Sequence, residues 1–365
     1  MGLLTAAVLT SPVRLQANAM PDPPIEQVPD VHEDESKIVV RKGNFVIVPI
    51  PLSNPTLGSG LVVAGAYFYA QTPEQKKVQP ASVTAAAGMY TNNESYAYGI
   101  VQQNYWAEDK WRFSGFLGHV DLKLDLLAPG PMGGGDVDWL ISGNFLQAKI
   151  LRRMVNDWYF GIQGRYFDNQ QKFQTNFSGA DFGFDVDLQT LGIGLNIEYD
   201  TRDVPANPYN GRRFEMGALF NDDSLGSDDT YQGYDARFRA YHEVAEKVVL
   251  AWEVRGCYKS GQVPLWDSCK VNLRGFPITE YMSKTSASAQ VEGRWRPFKR
   301  FGFVAFLGGG LSDRNYTDLR DDNLIPSYGI GARWMVMQAQ RINMRLDYAR
   351  SDNQDAWYLA VSEAF

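Results

Sequence analysis

The chain has 365 residues, of which 21% are charged and 13% aromatic, and its formal net charge is −7. This acidic balance excludes nucleic acid as an expected partner, because the sequence offers no basic stripe to displace the counterions of phosphates. No run of about 18 apolar residues occurs, so no transmembrane helix is predicted. Abundant Tyr, Phe and Gly favour strands and turns instead.

The first residues look like an export signal. An apolar run from Gly2 to Leu9 precedes an Ala17-Asn18-Ala19 site, which predicts a signal peptide over residues 1–19. No Lys or Arg precedes the apolar run, so a start further upstream, or no signal at all, stays open. Residues 20–42 are acidic and Pro-rich, which predicts an extended periplasmic lead-in.

From residue 43 onward the sequence reads as strands separated by turns. Short links alternate with longer ones, which is typical of outer-membrane barrels, and an even number of strands returns both ends to one side. The predicted domain is therefore a 16-stranded antiparallel transmembrane β-barrel over residues 43–365. Its predicted strands are 44–52, 59–70, 81–92, 95–105, 110–124, 139–152, 157–170, 186–200, 212–222, 230–244, 247–259, 285–297, 301–312, 326–337, 341–350 and 356–365.

Strict alternation marks several of these strands. In RINMRLDYA (341–349) apolar residues alternate with polar or charged ones. In KVVLAWEVRGCY (247–258) a face of large apolar residues lies opposite Glu253 and Arg255. Period two alone fits either a soluble core or a lipid-facing wall. The runs exceed the usual 5 to 6 residues and approach a membrane span. Arginines and carboxylates share the polar faces, which favours apolar side chains facing lipid around a wet lumen.

The two cysteines, Cys257 and Cys269, flank the start of a long polar loop and could form a disulfide in an oxidising compartment.

The chain ends in AWYLAVSEAF, where Trp357, Leu359, Val361 and Phe365 are predicted to share the lipid face. Glu363 interrupts that face, and we expect it near the periplasmic rim, where a lipid-side charge costs little.

Residues for catalysis or metal binding are not grouped in the sequence. The three histidines are scattered, without metal-ligand spacing, and no nucleotide or hydrolase motif occurs. The sequence predicts no cofactor, no metal site and no enzymatic activity.

Three segments together resemble the bacterial surface antigen barrel of the BamA/TamA superfamily. They are EYDTRDVPANPYNGRRFEM (198–216), LRGFP (273–277) and SYGIGARWMVMQAQRINMRLDYA (327–349). The resemblance implies that the long external loop folds into the barrel. Its Arg274-Gly275-Phe276 corner would then be locked by Glu292 and Asp347. A bidentate pair would suit the guanidinium.

The resemblance also implies a charged turn cluster of Asp200, Arg202 and Asp203, and an assembly signal at Phe365. One departure is Gly308, which stands where the family usually has an aspartate partner for the loop arginine. Residues 20–42 are too few for a periplasmic POTRA domain, so a POTRA-less member is expected.

By this resemblance the chain would act in the bacterial outer membrane, inserting or translocating protein or lipid. Its partners would be outer-membrane lipids and a separate periplasmic or secreted protein. Opening would occur between the first and last strands, and cysteines at Val48 and Leu359 are predicted to cross-link there. A passive pore or structural barrel is the alternative.

Overall fold

The computed structural model describes residues 43–128, 135–177, 180–313, 324–338, 341–352 and 354–365. The predicted signal peptide (1–19) and lead-in (20–42) lie outside these residues. The strands are β1 Asn44–Asn54, β2 Gly58–Phe68, β3 Val83–Thr91, β4 Tyr96–Trp106, β5 Trp111–Ala128, β6 Gly135–Val155, β7 Trp158–Phe177, β8 Ala180–Asp200, β9 Gly211–Asn221, β10 Tyr231–Ala245, β11 Val248–Gly261, β12 Cys269–Lys270, β13 Met282–Ser283, β14 Thr285–Trp295, β15 Phe301–Asp313, β16 Ile325–Met337, β17 Ile342–Ser351 and β18 Gln354–Val361.

Sixteen of these strands form one closed antiparallel barrel, and β12 and β13 form a small separate ribbon. Each barrel strand pairs with its neighbour in sequence, β11 pairs with β14, and β1 meets β18 to close the ring. The sixteen-stranded barrel predicted from turn spacing is confirmed. We call the end where β1 begins and β18 ends the terminal rim, and the opposite end the loop rim.

A single short helix, α1 (Pro73–Val78), stands in the described part between β2 and β3 at the terminal rim. Thr72 caps its N-terminus, Gln75 completes the capping box, and proline occupies the first turn. No helix in the described residues is long and apolar enough to cross a membrane.

The outer surface of the barrel is apolar, as the alternation predicted. Side chains such as Ile47, Ile162, Leu307 and Ile330 are 60–65% exposed there. Two bands of exposed aromatic residues flank this surface, as in membrane barrels. The band at the terminal rim contains Trp106, Trp111, Trp295, Phe301 and Trp334, and the band at the loop rim contains Tyr90, Tyr98, Tyr258 and Tyr328.

The inner surface has two unlike halves. Along β8 to β17 it carries ion-paired arginines and carboxylates, as predicted for a wet lumen. Along β1 to β7 it is mainly apolar and includes Val120, Trp139 and Phe145, with a few ion-paired side chains such as Arg112 and Arg165. A polar lining all round was therefore the wrong expectation. In β2 and β3 apolar residues occupy both faces, so their sequences carry no alternation that reveals the inner one.

Strands β5 to β8 are 18 to 21 residues long, longer than predicted. They extend past the apolar band at the loop rim, where pairs such as Lys172 and Asp185 (3.8 Å) join neighbouring strands. The prediction ended these strands at turn-like residues, but backbone pairing continues beyond them because it needs no lipid-facing side chain.

Candidate functional site in the barrel interior

The link between β11 and β14, residues 262–284, enters the lumen from the loop rim. A disulfide between Cys257 of β11 and Cys269 of β12 ties its first half to the wall. Its later residues are buried inside the barrel: Val271, Leu273, Arg274 and Phe276 are each at most 8% exposed. Val271, Leu273 and Phe276 pack with Ile325 of β16, so apolar contacts hold the loop corner in the lumen.

Arg274 lies at the centre of the interior. Its Nη2 donates to Glu292 Oε2 at 2.7 Å, and its Nη1 donates to Asp347 Oδ2 at 2.9 Å. The guanidinium carbon lies 3.3 Å from the centre of the Phe306 ring, a cation–π contact. Glu292 and Asp347 are fully buried. The structure thus brings together the three residues that the resemblance implied, but Arg274 bridges two carboxylates instead of pairing bidentately with one.

Both carboxylates are shared with other arginines. Glu292 Oε1 accepts from Arg294 Nε at 2.8 Å, and Asp347 accepts from Arg333 at 2.5 Å and Arg345 at 2.8 Å. We call these six residues the clamp: Arg274, Glu292, Arg294, Arg333, Arg345 and Asp347. Buried charges are tolerated only when paired and hydrogen-bonded, so the loop arginine and the wall carboxylates depend on each other.

Glycines on β15 and β16 make room for the loop corner and the clamp. A Cβ on Gly310 would lie 2.3 Å from Val271 Cγ1, and one on Gly331 would lie 2.0 Å from Asp347 Oδ1. At Gly308, a side chain would meet Ala289 and Gln290 of the adjacent strand within 2.8 Å. Glycine thus stands where the family usually has an aspartate, and on this strand the Phe306 ring face contacts the arginine.

A second ionic anchor holds the loop nearer its start. Asp267 accepts from both terminal nitrogens of Arg165, at 3.0 and 2.6 Å, and from Lys259 at 2.9 Å and the Tyr231 hydroxyl at 2.8 Å. Burial alone would raise the pKa of Asp267, but Arg165 and Lys259 hold that pKa well below its usual range. Asp267 matches no motif, and its only signal in the sequence is its place two residues before Cys269.

Replacing Asp267 by asparagine should loosen this first half of the loop. Arg165 and Lys259 would lose their shared carboxylate, and lost hydrogen bonds to charged groups cost about 2 kcal/mol. We expect faster proteolysis within residues 262–284 and a lower urea midpoint of unfolding in vesicles. Asp187→Asn on β8, an exposed position, is the matched control. An Asp267→Asn protein as resistant as the control would contradict the anchor.

The loop also contacts the strands that close the barrel. Gly275, at φ 120°, donates its N–H to the Tyr358 hydroxyl on β18 at 2.8 Å. Gln354 Nε2 of β18 donates to Glu280 Oε1 at 2.8 Å. On the other side of the closure, Ile278 donates its N–H to Thr56 Oγ1, between β1 and β2, at 2.9 Å. We call these three hydrogen bonds the latch, because they link the loop to both sides of the closure.

The junction of β1 and β18, here called the seam, is the weakest pairing in the described barrel. Ser53 opposite Leu359 is its one residue pair, whereas β1 with β2 has eleven and β17 with β18 has eight. Pro49 and Pro51 lie in β1, and proline cannot donate a ladder hydrogen bond. These prolines were the available sequence signal for a weak edge. Because Leu359 faces Ser53, the pairing of Val48 with Leu359 was wrong by five residues.

The charged turn cluster divides into two pairs at the terminal rim. Arg202 makes two hydrogen bonds to the carboxylate of Asp200, at 2.9 and 2.7 Å. Asp203 instead accepts from Arg341 Nη1, across the rim between β16 and β17, at 2.6 Å. The first pair stabilises its own turn, the second joins the β8–β9 turn to the β16–β17 turn, and neither pair includes Arg274.

The C-terminal residues do not continue the outer face. Strand β18 ends at Val361, and Ser362 takes a φ of 80°, which turns the chain inward. Glu363 then pairs inside the barrel with Arg333 at 2.7 Å, so its predicted lipid-side position was wrong. Phe365 is 6% exposed, and its carbonyl oxygen accepts from Arg294 Nη2 at 2.8 Å. Two clamp arginines, Arg333 and Arg294, thus hold the C-terminal residues inside the barrel.

Solved structures share this architecture. BamA from Haemophilus ducreyi lacking POTRA domains 1–3 matches with a TM-score of 0.58 and 12% identity, covering 88% of this chain and 70% of that one. CdiB from Acinetobacter baumannii (0.59, 11%) covers 88% of this chain and 60% of its own. CdiB from Escherichia coli (0.54, 9%) covers 86% and 63%. The chain therefore spans less than two thirds of either CdiB protein.

At such identities the structural likeness establishes the fold alone. No curated protein matches the chain. Residues 157–365, which include the clamp, the inward loop and the C-terminal strand, match the Omp85 superfamily domain. That match covers more than half of the chain, and the apolar outer surface between two aromatic bands fits a membrane barrel. The chain belongs to the Omp85 superfamily and is a β-barrel protein of the bacterial outer membrane.

Proposed function

We propose that this barrel inserts or translocates protein or lipid at the outer membrane by opening its seam, and that the inward loop controls the opening. The observation that carries the proposal is the single residue pair between β1 and β18 in an otherwise continuously paired ring. Few backbone hydrogen bonds need to break there, and the apolar outer surface would bring a lipid-embedded substrate to the opening.

The latch supports a control function for the loop. Its three hydrogen bonds join β18 through Tyr358 and Gln354 to the β1–β2 link through Thr56. Opening the seam would have to break the bonds on at least one side. The clamp holds the loop independently on β14 and β17, so the loop could keep its place in the lumen while the latch opens.

As partners we propose outer-membrane lipids and a separate periplasmic or secreted protein. The terminal rim offers such a protein a connected surface, because Asp203 and Arg341 tie the β8–β9 turn to the β16–β17 turn.

A deletion strain tests the proposal. We expect a defined set of outer-membrane or secreted proteins, or the lipid composition of that membrane, to change in the strain. Expression of the native chain in the deletion strain should restore the original protein and lipid composition. Mass spectrometry of both fractions is the measurement, and unchanged composition in the deletion strain would contradict an insertion or translocation function.

A passive pore is the second candidate. The clamp and the apolar loop corner, both buried in the interior, favour a closed barrel over an open channel. Single-channel recording of the purified protein in planar bilayers separates the two. A stable, uniform open conductance would favour the pore, whereas absent or rare openings would favour the transporter.

A further inference from the structure

An apolar cavity of about 140 Å³ lies inside the barrel between the inner wall of β1 to β6 and the inward loop. The wall side includes Leu52, Val62, Met89, Leu122, Trp139 and Ile141. Outer-membrane barrels usually have a polar interior. The loop covers only part of this apolar wall. Binding of an apolar ligand against the rest would therefore be favourable.

Two loop residues that carry polar groups line the same cavity. Lys270 lines the cavity, and its ammonium donates to the backbone carbonyls of Trp266 (2.9 Å) and Ser268 (3.2 Å). Among the described residues it forms no ion pair. Trp266 also lines the cavity and is 6% exposed, yet its indole N–H has no hydrogen-bond partner within the described part of the chain. A buried donor without a partner costs about 1–3 kcal/mol, so a ligand oxygen would be favoured there.

From this juxtaposition we propose that the cavity binds the hydrocarbon end of an anionic amphiphile, a fatty acid or the acyl chain of an acidic lipid. The anionic group would lie at Lys270 and the Trp266 N–H. The binding site does not depend on the proposed transport function. Burial and the nearby Lys259 lower the pKa of Lys270 to about 8, which leaves the ammonium mostly charged at neutral pH.

The volume limits how much of a chain can enter. An apolar protein cavity of about 150 Å³ accepts benzene, so this one should hold a segment of about six carbons. The seam offers an entry from the bilayer, because Leu52 lines the cavity and the next residue, Ser53, makes the one pair with β18. A chain could therefore reach the cavity sideways, without crossing the aqueous loop rim.

Quenching of tryptophan fluorescence by 8-bromooctanoate tests the site, using the full chain folded and held in amphipol. The bromine at the chain end would come close to Trp139 and Trp266 in the cavity wall. We expect saturable quenching that unbrominated octanoate reverses. Affinity should rise about fourfold per methylene through short chains and level off beyond about eight carbons. Linear, non-saturable quenching would mean partition onto the outer surface only and would overturn the proposal.

Variants on one strand locate the site. Ala87 lines the cavity, whereas Ala86 next to it faces outward. Ala87→Leu should abolish the saturable component, and Ala86→Leu should preserve it. Equal binding in both would place the probe outside the barrel and contradict the proposal.

The charge variant tests the head group. Lys270→Met should weaken 8-bromooctanoate about tenfold and leave 8-bromooctanol unchanged. If Ala87→Leu does not fold, this comparison decides alone, because it needs no cavity-filling variant. Equal loss for the acid and the alcohol, or no loss for either, would overturn an anion site at Lys270.

Discussion

Replacing Arg274 by alanine should destabilise the folded barrel by about 3–5 kcal/mol, the cost of removing one partner from a buried ion pair. Glu292 and Asp347 are fully buried, and each would lose a donor from the loop. The loop would also lose the cation–π contact with Phe306. In urea titrations of the vesicle-embedded protein, followed by mobility on unheated gels, the unfolding midpoint should fall.

Lysine at the same position should recover only part of this loss. One ammonium is a compact charge and cannot reproduce the planar fork that reaches β14 and β17 together. The expected order of midpoints is native, Arg274→Lys, then Arg274→Ala. Arg350→Ala, which removes an exposed arginine of β17, should unfold like the native chain. If both Arg274 variants unfold at the midpoint of the native chain, Arg274 does not stabilise the barrel and behaves as a solvated side chain.

Locking the seam should abolish function. Ser53 and Leu359 are directly opposite, and opposite residues on antiparallel strands bring their Cβ atoms near disulfide distance. A Ser53→Cys, Leu359→Cys protein should therefore cross-link on oxidation. It should fail to restore the composition of the deletion strain, and a reductant should rescue it. Reductant also opens Cys257–Cys269, so the native chain treated in the same way must stay active.

A matched pair controls for the added disulfide. Ala66 of β2 and Ala85 of β3 are opposite each other within a continuous ladder. Cross-linking Ala66→Cys to Ala85→Cys stiffens a junction that need not open, and the protein should remain active. If the locked seam supports the same activity as this control, opening between β1 and β18 is not the mechanism.

The sequence predicted the barrel well because its late strands alternate cleanly. In β17 each apolar residue has a charged or polar neighbour, and the lipid-facing side follows directly. The family resemblance of the Arg-Gly-Phe corner implied acidic partners on late strands, and the structure brings Arg274 to Glu292 and Asp347.

Other features depend on three-dimensional context. Glu363 lies inside because one left-handed residue, Ser362, redirects the chain toward Arg333. Asp267 is an anchor only because β7 and β11 bring Arg165 and Lys259 to the same place. The apolar inner wall was not predictable from strands such as β2, where both faces are apolar. Pro49 and Pro51 did mark the weak edge, but only the observed register shows how little of β1 is paired with β18.

Amide hydrogen exchange of the folded protein in lipid tests the weak seam most directly. Strands β1 and β9 are each 11 residues long, but β9 pairs along its length on both sides, whereas β1 does so only with β2. We predict that peptides from residues 44–52 exchange about tenfold faster, or more, than peptides from β9, since exchange follows local opening. Equal protection of β1 and β9 would contradict a seam that opens.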